Sequence, residues 1–184
     1  MKPLNILRKL EEIIKRDFQV HPIGGQLQLE EPEAKGYPTT LLKKKGNVLA
    51  YNFDVKNSNT AVFPFFNADV PSLTTIADYI IFYPHGSTLF VFVCNLKSNN
   101  HSNASEQAQA GMLFSQYLLK TIERLLKYPY DMQIEYRSLI FTTNQNMRFS
   151  TNVRQEAYNV LGRSGLKSKI LKAGENCFLD ALCF

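Results

Sequence analysis

Hydrophobic residues recur along this chain with two different periods, and together these predict alternating helices and strands. Leucine and isoleucine at helical spacing predict an amphipathic helix over residues 4–17. A longer helical pattern covers Ala104–Leu126, and Tyr128-Pro129 ends it. A third helix is predicted over residues 151–162. The inner face of the long helix is expected to hold small and apolar residues, namely Ala104, Ala108, Gly111, Met112, Ser115, Leu118, Leu119, Ile122 and Leu125.

Alternation with a period of two residues predicts the strands. It favours strands at Asn47–Val55 and Met132–Thr142, and a last short strand at Lys167–Leu171. Two further runs, Asp78–Tyr83 and Thr88–Lys97, are rich in β-branched and aromatic residues. A turn sequence with proline and glycine separates them, so these two runs are predicted to form a hairpin.

The order of these elements predicts the fold class. Residues 19–46 look irregular, apart from a short edge strand at Leu27 and Leu29. The remaining order is helix, strand, hairpin, long helix, strand, helix and strand. This order predicts one α/β domain over residues 1–184, with a mixed β-sheet core flanked by helices.

The predicted hairpin brings polar side chains together. With its turn centred on His85-Gly86, Asp78 lies opposite Val93, and directly opposed residues share a sheet face. Asn95 and Lys97 then lie on that face too, because faces alternate with a period of two. The alternative is that these residues are only the polar ends of buried strands, with Asp78 capping its strand and Lys97 in solvent.

Composition excludes several classes of protein. Of the 184 residues, 45% are hydrophobic and 20% are charged, which is typical of a globular domain. No apolar run reaches about 18 residues, so no membrane-spanning helix is expected. The first residues lack the apolar core of a signal peptide, which predicts a cytoplasmic location. The three cysteines have no metal-type spacing, so neither a zinc site nor a disulfide framework is expected.

Charge favours a polyanionic partner without requiring one. The formal net charge is +5, and an ordinary solvated surface is the other interpretation. Lys43-Lys44-Lys45 forms a basic run in a predicted turn, where it contacts phosphates or, more simply, solvent. The apolar segment Phe178–Phe184 is expected to pack on the core or to form an oligomer contact.

At the hairpin the chain resembles the PD-(D/E)XK superfamily, the restriction-endonuclease-like nucleases. The similarity covers roughly residues 47–142. It is carried by Asp78, by Asn95-Leu96-Lys97-Ser98 at the end of the next strand, and by Gln107 near the start of the long helix. Members commonly have an acidic residue, any residue and lysine in the third strand, followed by a glutamine in the helix. The resemblance implies a restriction-endonuclease-like mixed sheet.

The resemblance also implies a metal site. Asp78, the residue at position 95 and the carbonyl of Leu96 would be the ligands of Mg²⁺ or Mn²⁺. The metal activates a water and offsets charge on the phosphate. Lys97 would lie near the attacking water, where its ammonium stabilises the developing oxyanion. Gln107 would contact the nucleophile or the phosphate.

The chain departs from the family pattern at Asn95, because an amide brings no negative charge to a metal. One interpretation is that the acid has migrated, with Glu106 the first candidate and Glu11 or Glu12 behind it. A second is a pseudo-nuclease that keeps the scaffold without the chemistry. A third is an introduced substitution at position 95.

These alternatives leave open whether the chain is an enzyme. The leading hypothesis is metal-dependent phosphodiester hydrolysis of DNA or RNA with an atypical acidic set. The alternative is a catalytically inactive pseudo-nuclease that binds nucleic acid or a protein partner. An unrelated α/β interaction domain is the third hypothesis. Nucleic acid is the expected partner, a homodimer or a protein partner is the other expectation, and no membrane association is expected.

Overall fold

The computed structural model describes residues 3–31, 36–53, 63, 65–67, 69–98, 103–127, 131–144, 157–161 and 165–184. Within these residues, two amphipathic segments form the α-helices. Helix α1 spans Pro3–Ile13, and a 3-10 helix at Arg16–Phe18 follows it. Helix α2 spans Ala104–Leu126, as the sequence predicts. Leu125 is 54% exposed, so its placement on the buried face is wrong.

Ten strands complete the described part of the chain and form two sheets. Seven of them form one mixed sheet in the order β1-β4-β5-β6-β7-β9-β8, and three form a smaller sheet in the order β10-β3-β2. In the large sheet β6, β7 and β9 run parallel to one another, and its other pairs are antiparallel. Helix α2 is the crossover between the parallel strands β6 and β7. The strands are β1 Gln19–Val20, β2 Gln26–Leu29, β3 Thr40–Lys43, β4 Leu49–Asn52, β5 Tyr79–His85, β6 Thr88–Lys97, β7 Gln133–Thr142, β8 Asn159–Leu161, β9 Leu166–Lys172 and β10 Cys177–Phe178.

The elements stack in three layers, which confirms the predicted α/β class with a mixed sheet. Both helices cover one face of the large sheet, where Leu10 of α1 and Leu119 of α2 join the cluster that contains Ile80 and Phe82. The small sheet covers the opposite face and buries Leu42 there. Burial of these apolar side chains supplies the main driving force for the arrangement.

The small sheet corrects the prediction that residues 19–46 are mostly irregular. That segment contributes β1, β2 and β3, and only β2 was expected. Strands this short carry too little alternation to be recognised locally, and β3 is stabilised by pairing with the distant strand β10. The segment after β10 forms a 3-10 helix, Leu179–Cys183, with Leu179 and Leu182 fully buried. The apolar C-terminal segment therefore packs on the core, one of its two expected roles.

The predicted helix over residues 151–162 is wrong where the structure describes it. Asn159–Leu161 forms β8, which pairs with β9 at the edge of the large sheet. Residues 151–156 and 162 lie outside the described residues, as do residues 54 and 55 of the predicted strand Asn47–Val55. The segment 159–161 forms a strand because pairing with β9 stabilises it more than its helical spacing of apolar residues would stabilise a helix.

The hairpin of β5 and β6 has a register that differs from the predicted one by two residues. His85 lies opposite Thr88, so the turn consists of Gly86 and Ser87. Gly86 has a φ of +61°, which suits a two-residue turn whose twist matches that of the strands. A shift of two residues leaves every side chain on its predicted face. Tyr79 lies opposite Cys94, and the next pair in that register is Asp78 and Asn95.

Candidate functional site

The register places three polar residues on the sheet face that the helices cover. Leu89 and Val91 on β6 pack against the helices, and Asn95 and Lys97 continue the same alternation. Asp78 precedes β5 and alternates with Tyr79, whose side chain belongs to the opposite face. Asp78, Asn95 and Lys97 therefore lie on one face, as the sequence predicts.

Asp78 supports the start of β5. Its side chain is 6% exposed, and its Oδ2 accepts the backbone N–H of Leu96 at 2.5 Å. Because β5 begins at Tyr79, the carboxylate takes the place of the next backbone acceptor in the ladder. A bond to an ionised acceptor contributes more to stability than a neutral one. Asp78 thus has a structural role that requires no metal.

Asn95 is the most unusual residue of the site. It is fully buried, and neither Oδ1 nor Nδ2 has a hydrogen-bond partner among the described residues. A buried polar atom without a partner costs roughly 1–3 kcal/mol. In native proteins such groups usually indicate a water or a ligand. The site therefore has hydrogen-bonding capacity that the described chain does not use.

A second amide lies close to this region. Gln107 stands in the first turns of α2, and its Oε1 is also buried without a partner in the described part of the chain. Its neighbour Ala108 packs in the same small cluster as Val93 of β6. The first turns of α2 therefore pack on β6 at Val93, and the predicted contact of Gln107 with the nucleophile or the phosphate stays a prediction.

Two buried hydroxyls lie on the same face, and no local pattern in the sequence predicts them. Ser138 of β7 pairs in register with Val93 on one side and with Ser168 of β9 on the other. Both serines are buried, and neither Oγ has a hydrogen-bond partner among the described residues. Unsatisfied polar atoms are therefore concentrated beneath the N-terminal half of α2. The two serines come together because β6, β7 and β9 are parallel and in register, and no local sequence pattern encodes that pairing.

The carboxyl ends of the parallel strands carry a row of polar side chains. Lys97 of β6, Thr142 of β7 and Lys172 of β9 are aligned in register. Thr142 donates from Oγ1 to the carbonyl of Ser98 at 2.8 Å, which joins the ends of β6 and β7. Open α/β sheets bind ligands at this edge. Helix α2 starts a few residues after β6, so its positive N-terminal dipole lies at the same edge.

Glu106 lies in the first turn of α2 and is exposed, whereas Asp78 is buried. This difference in burial disfavours Glu106 as a migrated acid. On α1, Lys9 contacts Glu12, and Glu11 accepts from Gln19 at 3.3 Å. The described residues contain no group of three or more His, Cys, Asp or Glu side chains suited to a metal.

The residues that are present offer a Mg²⁺ or Mn²⁺ ion less negative charge than the resemblance implies. Mg²⁺ is usually held by one or two carboxylates together with waters and substrate phosphates. Here Asp78 is the single buried carboxylate of the site, and one of its oxygens already accepts the Leu96 N–H. Lys97 adds a positive charge on the same face. The amide and carbonyl oxygens of Asn95 and Leu96 add no charge to offset it.

Buried charges on the opposite face are structural. Arg137 of β7 donates from Nη1 to Glu135 at 2.6 Å, and its guanidinium lies 5.2 Å from the ring centre of Tyr158. Lys169 of β9 is 1% exposed and lies 4.4 Å over the same ring. Burial raises the pKa of Glu135, but the hydrogen bond and charge of Arg137, together with Gln133 and Lys167, leave that pKa lowered. Arg137 and Lys169 therefore belong to the core and not to a solvated basic surface.

Comparison of the chain with protein-family models, curated proteins and solved structures gives no match. The nuclease resemblance therefore depends on the residues of the hairpin and of α2 alone. Within the described residues, no helix is both long and apolar enough to cross a membrane.

Proposed function

We propose that this protein binds the backbone of nucleic acid at the carboxyl ends of β6, β7 and β9 without hydrolysing it. We call this region the carboxyl-edge site and define it by Asp78, Asn95, Lys97, Thr142 and Lys172. The observation that carries the proposal is the fully buried, neutral amide of Asn95 at the position where the resemblance requires an acid.

The charge balance of the carboxyl-edge site favours an anion over a cation. Lys97 and Lys172 lie in one register row, and the N-terminus of α2 adds positive potential nearby. Lys172 is paired with Glu175 at 2.9 Å, but both side chains are more than half exposed, so solvent weakens that pair. Phosphate groups are bound by lysine and by backbone N–H groups at helix N-termini.

A second candidate function is metal-dependent phosphodiester hydrolysis with an atypical ligand set. It is favoured by the buried oxygens of Asn95 and Gln107, which have no partner in the described chain and are hard donors. It requires Asp78 as a metal ligand and Lys97 near the attacking water, which are the roles that the resemblance implies for these two residues. The site supplies a single buried carboxylate, Asp78, and this low negative charge favours binding without cleavage.

Fluorescence anisotropy with labelled DNA and RNA at several salt concentrations tests the proposal. Lys97→Ala/Lys172→Ala should weaken binding of duplex and single strands alike and should flatten the salt dependence by about one unit of slope per lysine. Lys120→Ala is the matched control, because Lys120 lies far along α2 and its side chain is 72% exposed. Equal affinities for the double variant and the control would overturn the proposal.

Cleavage assays separate the two candidates. The protein is incubated with plasmid, single-stranded DNA and RNA in the presence of Mg²⁺ or Mn²⁺, and no cleavage is expected. Cleavage that disappears in both Asp78→Ala and Lys97→Ala would instead establish the hydrolytic candidate. Cleavage that persists in both variants would indicate a contaminating nuclease.

A further inference from the structure

A second basic surface lies at the opposite end of the hairpin from the carboxyl-edge site. The Lys43-Lys44-Lys45 run ends β3 and begins the turn after it, close to His85 at the turn of β5 and β6. Strand β6 separates this end from Lys97 by roughly 30 Å, at about 3.3 Å per residue. The surface also lies on the layer of the small sheet, away from the helices.

Two exposed aromatic rings accompany these cations. Phe178 of β10 pairs with Lys43 in the small sheet and is 48% exposed, and the Lys43 ammonium lies 5.4 Å from its ring centre. Phe184 is 65% exposed, and its ring lies 5.8 Å from that of His85. We call this set the aromatic–lysine surface and define it by Lys43, Lys45, His85, Phe178 and Phe184.

Asp180 holds this surface in place. Its side chain is nearly buried, contacts the Tyr83 hydroxyl, and lies 3.6 Å from Lys45 Nζ and 3.7 Å from His85 Nδ1. The Tyr83 hydroxyl also lies 2.9 Å from the carbonyl of Lys45. A surface fixed by such contacts loses little conformational entropy when a ligand binds.

The charge of the aromatic–lysine surface remains positive. Asp180 offsets Lys45, but Lys43 forms no ion pair with any described residue, and Lys44 donates to the carbonyl of Gly46 at 2.9 Å. The ring of Phe178 therefore lies beside the uncompensated charge of Lys43, and the ring of Phe184 lies beside His85.

We infer that the aromatic–lysine surface binds single-stranded nucleic acid, with bases stacked on Phe178 and Phe184 and phosphates contacting Lys43 and Lys45. Single-strand binding combines a positive groove with aromatic rings, because every base has a face that stacks. Bases in a duplex are stacked on each other and have no free face for these rings. The inference does not depend on the carboxyl-edge site, which would contact phosphates of either form.

The test compares a labelled oligothymidylate of about 12 nucleotides with a duplex of equal length by fluorescence anisotropy. Phe178→Ala/Phe184→Ala should lower the affinity for the single strand by about thirtyfold or more and leave duplex binding unchanged. The matched control is Phe65→Ala/Tyr117→Ala, which removes two rings that are 76% and 68% exposed elsewhere. Phe178→Tyr/Phe184→Tyr should restore binding, since it keeps the stacking rings.

Several outcomes would overturn the inference. One is a loss no greater than that of the Phe65→Ala/Tyr117→Ala control, and another is an equal loss for duplex and single strand. Displacement of the oligonucleotide by poly-glutamate at equal charge concentration would identify an acidic protein partner instead. The same comparison is repeated in a protein that carries Lys97→Ala/Lys172→Ala. There, Phe178→Ala/Phe184→Ala should still lower the affinity for the single strand and not that for the duplex.

Discussion

Replacing Asn95 by aspartate tests the central feature of the carboxyl-edge site. Asn95→Asp changes one NH₂ group to an oxygen and leaves the shape of the side chain almost unchanged. The hairpin register places the introduced carboxylate directly across from Asp78, in a position that is 0% exposed. Burial and a neighbouring like charge both disfavour ionisation, so the pKa of the introduced group should rise in the folded state.

The cost follows from the burial of an unpaired charge. Such a charge lowers stability by roughly 3–5 kcal/mol. At 1.36 kcal/mol per unit, this corresponds to a folded-state pKa about 2–4 units above the unfolded value near 3.9. The folded state then holds the proton more tightly than the unfolded state. The variant should therefore match the parent most closely below about pH 4 and should lose stability as the pH rises to about 7 or 8.

Urea denaturation of the parent and of Asn95→Asp at several pH values measures this loss. Asn95→Ala is the control, because it removes the amide without adding a charge, and its loss should not depend on pH. A pH-independent loss for Asn95→Asp, or no loss, would refute the burial of residue 95 opposite Asp78. Adding Mn²⁺ at 100 times its dissociation constant should restore about 2.7 kcal/mol if the two carboxylates create a metal site.

Three further predictions concern the surroundings of the site. Asp78→Ala removes the acceptor of the Leu96 N–H and should lower the free energy of unfolding by roughly 1–3 kcal/mol in urea denaturation, whereas Asp78→Asn keeps an acceptor and should lose less. Gly111→Ala should lower the thermal midpoint despite alanine's helix propensity, because its Cβ would lie 2.5 Å from Val93 Cγ1, and adding Val93→Ala should recover part of the loss. Burial raises the pKa of the thiols of Cys94, Cys177 and Cys183. Iodoacetamide at pH 8 should therefore label these thiols far more slowly in the native protein than in urea, as measured by mass spectrometry. Rapid labelling of the native protein would contradict their burial.

The long elements were predictable because a local pattern determines them. Helix α2 carries enough helical periods to fix both of its ends, and the two strands of the hairpin are apolar over most of their length. The turn was misplaced, but the shared face of Asp78 and Asn95 was nevertheless correct. The reason is that a shift of two residues preserves the alternation of side chains.

Contacts between distant segments could not be predicted from local patterns. The short segment β8 is a strand because it pairs with β9. The row of Lys97, Thr142 and Lys172 exists only because three strands are parallel and in register. The aromatic–lysine surface likewise depends on pairing between β3 and β10, more than a hundred residues apart in sequence. Such arrangements come from tertiary packing, which no local period encodes.

The identity of residue 95 links the fold to the proposed function. A carboxylate at this fully buried position would need a cation to offset its charge, whereas the amide of Asn95 forgoes only hydrogen bonds. A carboxylate at position 95 would also offset the positive charge of Lys97 at the end of the same strand. With asparagine, Asp78 is the only carboxylate of the carboxyl-edge site that offsets the attraction of Lys97 for phosphate. An amide in place of a carboxylate therefore makes this edge of the sheet a better site for an anion, which supports the proposal of binding without cleavage.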